Sequence, residues 1–274
     1  MRATLLLLLA ACRLGFDESP IDNRDATSIE IGDALASPDG SERCPSGRGP
    51  AMTLVPSGYC VDNTEVTKAQ YQAFLDANTP LRTDGRCSFN TSYQAIDYVW
   101  NATTSADQAA AGMDWCDARD YCQWAGKRLC GRIAGGSLAY TEHASMESQW
   151  YMACSQGGQR RFSYGTASAD DPVMGRCYLD IANNATGNQA VVGTHPDCKV
   201  VGTDVVDMLG NLQEWIDACD TSGATPGDDR CKTMGGVWYF ASSYSECSFF
   251  DPGGGVGIPR NSAVKHIGFR CCAD

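Results

Sequence analysis

Two stretches of the chain repeat their apolar positions at helical spacing. In residues 64–77 (TEVTKAQYQAFLDA), Val66, Ala69, Tyr71, Phe74 and Leu75 share a face, and Thr67 is placed to cap it. In residues 114–126 (DWCDARDYCQWAG), Trp115, Ala118, Tyr121, Cys122 and Ala125 form a second stripe, closed by Gly126. Residues 147–154 (ESQWYMAC) predict a shorter third helix. Beyond about residue 156 the apolar residues come in brief bursts among Gly, Asn and Asp. That pattern predicts long loops and a few short strands, including 237–240 and 266–271. The segment 207–217, DMLGNLQEWID, is too broken for a helix and alternates too little for a clean strand. Two or three helices with short strands and long loops make an α+β domain. Loops this long need something to fix them.

The N-terminus reads differently. Arg2 precedes an apolar run over residues 3–11, shorter than the ~20 residues of a spanning helix. The run suits a secretory signal, and Leu9-Ala10-Ala11-Cys12 resembles a bacterial lipobox, in which Cys12 is lipidated and becomes the mature N-terminus. An ordinary export signal is the simpler alternative. Residues 13–43 are rich in Asp, Ser, Ala and Pro and read as a flexible tether. No second linker follows, so the expected organisation is a signal with lipobox (1–12), a tether (13–43) and one domain (44–274), exported as a periplasmic or cell-surface lipoprotein whose lipid anchors it to a membrane.

Export decides how the cysteines are read. Of 15, Cys12 is set aside, and the remaining 14 run from Cys44 to Cys272 at irregular spacings, with only three histidines in the chain. In an oxidising compartment this predicts up to seven disulfides and not a metal cluster. A net charge of −12 argues against a nucleic-acid partner, which needs clustered Lys and Arg. The basic doublets Lys127-Arg128 and Arg160-Arg161 read as solvated pairs.

Six segments then stand in a recognisable order: CVDNTEVTKAQYQAFL from Cys60, DWCDARDYCQWAGKRL from Asp114, ESQWYMACSQGG from Glu147, DMLGNLQEW from Asp207, MGGVW from Met234 and HIGFRCC from His266. Together they resemble the formylglycine-generating enzyme, or sulfatase-modifying factor, family. The resemblance implies a C-type-lectin-like fold: a single α+β domain with few helices, short antiparallel strands and long disulfide-stapled loops. It implies a structural calcium ion held by the side chains of Asp207 and Glu214 and the carbonyls of Gly210 and Leu212. Hard oxygen donors of this kind suit Ca²⁺. The simpler account is a Gly-Asn turn whose Asp and Glu cap nearby backbone.

The resemblance also implies two disulfides, Cys154–Cys247 and Cys122–Cys271. Proximity in sequence suggests Cys44–Cys60, Cys87–Cys116, Cys177–Cys198 and Cys219–Cys231, and Cys130–Cys272 remains by elimination. Exchanging Cys271 with Cys272 is equally consistent, and a vicinal Cys271–Cys272 bridge is a strained outsider.

Activity is where the chain departs from the family. Formylglycine-generating enzymes oxidise a substrate cysteine with a copper ion held by two thiolates, soft ligands that suit Cu(I). The matching positions in GGVWYFASSYSECSFF fall near Phe240 and Ser245, and the only cysteine of that segment is Cys247. No HxxxHxE, GxSxG, P-loop or HExxH pattern occurs. The expected function is therefore a calcium-stabilised, non-catalytic module. Its peptide, protein or glycan ligand would lie in a groove lined by Trp238, Tyr239, Phe240, Tyr244, Phe249 and Phe250. Core packing accounts for about half of these aromatics. The alternative is an active oxidase with Cys247 and Cys272 as the copper pair.

Overall fold

The computed structural model describes residues 44–96, 105–164, 175–179, 188–239, 245–249 and 256–274. Cys12, the tether 13–43, Phe240, Tyr244 and Phe250 lie outside them. Among the described residues no helix is long and apolar enough to cross a membrane.

Among the described residues, three α-helices form where apolar spacing and capping coincide. α1 (Lys68–Asp76) buries Tyr71 and Phe74. The Thr67 hydroxyl accepts from Gln70 N at 3.3 Å, and Thr67 N donates to Gln70 Oε1 at 2.9 Å, a reciprocal pair that satisfies two first-turn donors. α2 (Trp115–Trp124) starts the same way. Asp114 Oδ1 accepts from Cys116 N and Asp117 N at 2.8 and 3.0 Å, and Gly126 with φ +74° turns the chain away at the other end. α3 (Gln149–Cys154) is capped by Ser148.

Among the described residues, eight short strands make two four-stranded sheets. β1 (Met52–Leu54), β2 (Cys60–Asp62), β8 (Cys271–Ala273) and β3 (Arg128–Leu129) lie in that order, all antiparallel. β6 (Ile258–Pro259), β5 (Arg230–Met234), β4 (Gln213–Cys219) and β7 (Ile267–Phe269) form the other. Its pairs are antiparallel as expected except β4–β7, which is parallel. The segment 207–217, read as neither helix nor strand, is a tight turn followed by β4. Asp207, Gly210 and Asn211 all have positive φ (55°, 80° and 50°), and the chain extends from Gln213.

Two strand expectations are corrected. No strand forms over 237–239. The strand lies earlier, at β5, because Gly235 and Gly236 take φ +94° and +77° and break it. A Cβ on Gly235 would sit 2.6 Å from the Met208 carbonyl, so only glycine fits. The expected strand 266–271 splits at Arg270 into β7 and β8, which belong to different sheets.

Seven disulfides staple the loops: Cys44–Cys60, Cys87–Cys116, Cys122–Cys271, Cys130–Cys272, Cys154–Cys247, Cys177–Cys198 and Cys219–Cys231. The adjacent Cys271 and Cys272 part company because successive side chains of a strand point to opposite faces. Cys271 enters a core of Tyr71, Phe74, Tyr121 and Phe269, whereas Cys272 enters one with Trp150, Leu209 and Ile216. The vicinal bridge is thereby excluded. Closing loops of 149 and 142 residues, these two bridges restrict the unfolded chain most, each by roughly 4–5 kcal/mol in the chain-entropy account.

The capping box of α1 gives the first prediction. Thr67→Ala removes the acceptor for Gln70 N and should destabilise by about 1 kcal/mol, whereas Thr67→Ser should not. In urea the unfolding midpoint should fall with an unchanged m-value; an unchanged midpoint would show the cap to be idle.

Candidate functional site

The crossing between the sheets is a buried polar centre built around Arg270. Its guanidinium is fully buried and spends its donors on three elements. Nε donates to both carboxylate oxygens of Glu214 on β4 at 2.9 and 2.8 Å, and Nη2 to Glu214 Oε1 at 2.8 Å. Nη1 reaches the Asp62 carbonyl on β2 at 3.0 Å. Nη2 also reaches the carbonyls of Val206 and Asp207 at 3.0 and 3.1 Å. Trp150 Nε1 on α3 donates to Glu214 Oε2 at 2.7 Å.

Two further carboxylates lie in the same interior. Glu65 accepts from Asn211 Nδ2 at 3.0 Å and Leu212 N at 3.3 Å. Asp207 Oδ2 accepts from Gly193 N at 2.6 Å. Three buried carboxylates thus face one guanidinium. Desolvation pushes the Glu65 carboxyl well up, and the charges of Asp207 and Glu214 add to that. Burial raises Asp207 from 3.8 to about 6, against the opposing pull of the Gly193 hydrogen bond and Arg270.

This is where the expected calcium ligands fall. The donor chemistry fits a hard cation in part. The carbonyls of Gly210 and Leu212 accept no backbone hydrogen bond among the described residues, and the carboxylates outnumber the cationic partner. Glu214 fits less well, because both of its oxygens already serve Arg270 and Trp150. Among the described residues no group of three or more His, Cys, Asp or Glu side chains is gathered as a metal cluster. A cation here would share Glu214 with Arg270. Neither Arg270 nor Glu65 was singled out from sequence; Arg270 sits among apolar residues and Glu65 in a polar stretch, NTEVTK, and neither carries a spacing signal.

The second candidate region follows Gly236. Trp238 is 1% exposed and packs with Ala109, Ala111 and Leu212, so its ring belongs to the core and does not wall a groove. Tyr239 is partly exposed, edge-on to Trp238 at 5.2 Å and to His266 at 5.5 Å. Phe249 is partly exposed too. Ser245, near which the resemblance would put a copper thiol, is fully buried, with an unpartnered hydroxyl beside Gly236. Cys247 is bridged to Cys154 and Cys272 to Cys130, so the structure does not bring those two sulfurs together. The basic doublets have partners and are not merely solvated. Lys127 Nζ is buried against Asp62 Oδ1 at 2.5 Å and the Pro50 carbonyl at 2.7 Å. Arg128 pairs with Asp274, Arg160 with Gln156 and Arg161 with Glu246.

Two expectations test this centre. Arg270→Met strands Glu214 in the interior and should cost about 3–5 kcal/mol, with part of the loss recovered in the double variant with Glu214→Gln; full additivity would show the pair is uncoupled. In chelator, stability should fall as pH rises from about 4 to about 6, because the folded chain keeps a proton on Asp207 that the unfolded chain has released. Asp207→Asn should lessen that slope, the remainder resting on Asp62 and Asp114, which burial likewise raises to about 6, and an unaltered slope would remove Asp207 from the account.

The model of the family described as sulfatase-modifying factor enzyme 1-like domain matches residues 16–274. The chain is 24% identical to a mouse protein named formylglycine-generating enzyme, over 83% of this chain and 69% of that protein. It is also 24% identical to one of the same name from Thermomonospora curvata, over 83% of this chain and 86% of that protein. Among solved structures it resembles PvdO from Pseudomonas aeruginosa (TM-score 0.53, 16% identity, 79% of this chain and 80% of that one). CarF is similar to the same degree (TM-score 0.53, 16% identity, 78% and 86%). These likenesses concern the fold. The chain belongs to the sulfatase-modifying factor enzyme 1-like domain family.

Proposed function

We propose that this chain is a non-catalytic member of its family, exported and held to a membrane through a lipid on Cys12. It would bind a peptide, protein or glycan beside Tyr239 and Phe249, with calcium at Asp207, Gly210, Leu212 and Glu214. The observation that supports the non-catalytic reading is the fate of sulfur. All fourteen cysteines from Cys44 to Cys272 are bridged, and a copper site of the family's kind needs two thiolates side by side. Serine stands at one of the matching positions and phenylalanine at the other, and neither side chain is a soft ligand. Export is supported by the same bridges, which persist in oxidising compartments. The aromatics left at the surface offer a ligand a stacking or anchoring face.

Formylglycine oxidation is the second reading, favoured by the names of the relatives. Titrating the unfolded, unreduced protein for thiols separates the two. The non-catalytic reading expects none, the lipidated Cys12 sulfur being a thioether, and no copper retained. Two titratable thiols with stoichiometric copper would make the chain an oxidase.

The calcium reading has its own measurement. A cation that binds only the folded state raises the melting temperature by mass action. Wild type should melt higher in Ca²⁺ than in chelator, and Glu214→Gln should lower the melting temperature and abolish the difference. Identical melting of wild type in both conditions removes the metal.

A further inference from the structure

One of the seven bridges differs from the rest in where it sits. Cys219 and Cys231 are direct partners across the antiparallel pair β4–β5. Beside them Asp220 N donates to the Arg230 carbonyl at 2.7 Å. That makes 220 and 230 the hydrogen-bonded pair and leaves 219 and 231 at the narrow, unbonded position of the ladder. Their Cα atoms are 4.0 Å apart, whereas the other six bridges span 4.7–5.9 Å. Disulfides usually span about 4.4–6.8 Å, and one held outside that range is more easily reduced.

Access and consequence single out the same bridge. Cys219 is half-buried, and its partner Cys231 is fully buried. Of the other bridged cysteines only Cys44 is not buried, and its bridge to Cys60 spans an ordinary 5.6 Å. The sequence separation of Cys219 and Cys231 is 12, the smallest of the seven, so opening this bridge returns the least freedom to the unfolded chain. The surroundings have other fastenings. β4 slips register between Trp215 and Cys219, and the residues of that irregularity bond elsewhere. The Ile216 carbonyl accepts from Trp115 Nε1 at 2.9 Å, and Asp217 N donates to the Cys130 carbonyl at 2.8 Å. Beyond the bridge, the Asp229 carboxylate accepts from Arg86 Nε at 2.6 Å and from Gly223 N at 3.2 Å, and its carbonyl accepts from Arg260 N at 2.7 Å.

We propose that Cys219–Cys231 is a redox-active bridge, opened by a dithiol reductant of the CxxC class, and that the other six are structural. A thiolate of the reductant attacks Cys219 Sγ, the more exposed sulfur. The Cys219–Cys231 bond breaks, and Cys231 leaves as a thiolate that takes up a proton. The reductant's second thiol, giving up its proton, then attacks the reductant's own sulfur in the mixed disulfide and releases Cys219 as a thiolate, which is protonated in turn. Two electrons and two protons pass to the protein, and the reductant becomes a disulfide. Opening frees the arm 220–230 from β4 at its base and leaves Cys122–Cys271 and Cys130–Cys272 closed. In the oxidised protein both sulfurs are joined, so this device stands apart from the calcium and ligand readings and adds no free thiol to it.

The test equilibrates the full oxidised chain in glutathione buffers of rising reduced fraction, then alkylates it and maps the labels by mass spectrometry. Labelling at equilibrium reads the stability of each bridge and not its access, so Cys44–Cys60 serves as the internal control. Cys219 and Cys231 should reach half-labelling at a ratio of squared reduced to oxidised glutathione at least tenfold lower than any other pair. Melting should stay cooperative at that point, with faster hydrogen exchange confined to residues near 219–231. A CxxC oxidoreductase whose second cysteine is replaced by serine should be trapped on Cys219. The double variant Cys219→Ser with Cys231→Ser should lose both the first labelling step and the trapped complex; if it does not fold, the wild-type mapping carries the test. First labelling at Cys44–Cys60 or another pair would overturn the proposal. So would trapping on Cys231, or opening of all seven bridges in one step with loss of the fold.

Discussion

One guanidinium holds two sheets together. Arg270 stands as the single residue between β7 of one sheet and β8 of the other, and its donors reach Glu214 on β4, Asp62 on β2 and the turn at 206–207. Arginine suits this place because its fork of donors is fixed and its charge is permanent, so one side chain can satisfy several carbonyls and a bidentate carboxylate. A cation buried this deeply is costly unless every donor is used. Here the partners are supplied from three directions, and this makes the position of each sheet a condition of the other. The same demand fixes Trp150, whose indole N–H completes the coordination of Glu214 from α3.

Sulfur extends this constraint outward. From the Arg270 crossing, the strand alternation sends Cys271 to the α2 side and Cys272 to the Cys130 side, so two neighbouring cysteines anchor two different cores. Short strands and long loops bury little apolar surface per residue, and crosslinks that restrict the unfolded chain offset part of that deficit. Structure and chemistry therefore compete for the same atoms. A sulfur joined to another cannot act as a thiolate, which ties the fold's stability to its functional reading.

How much of this was legible in the chain depended on whether the signal was local. The helices announced themselves, because a cap such as Thr67 or Asp114 and an apolar stripe lie within a dozen residues. The strands did not: elements of two to seven residues leave no room for alternation to show, and β5 was displaced from the expected 237–240 by the paired glycines after it. The parallel β4–β7 contact joins residues more than 50 apart and has no local mark. At the candidate site, Asp207 and Glu214 were visible through their motif, whereas Arg270 and Glu65 matter only through partners brought by the fold. Trp238 looked like a binding residue because an aromatic has the same letter in a core and in a cleft. Its burial against Leu212 decided between them.

The central claim is that the sulfur of this domain is committed to crosslinks that leave the two cores sealed and no thiolate pair exposed. Mass-spectrometric mapping of proteolytic fragments from the unreduced protein addresses it directly. The account predicts the linked pairs Cys122–Cys271, Cys130–Cys272 and Cys154–Cys247, with no alkylated cysteine between residues 44 and 272. Fragments carrying alkylated Cys247 and Cys272, or a Cys271–Cys272 bridge, would contradict it.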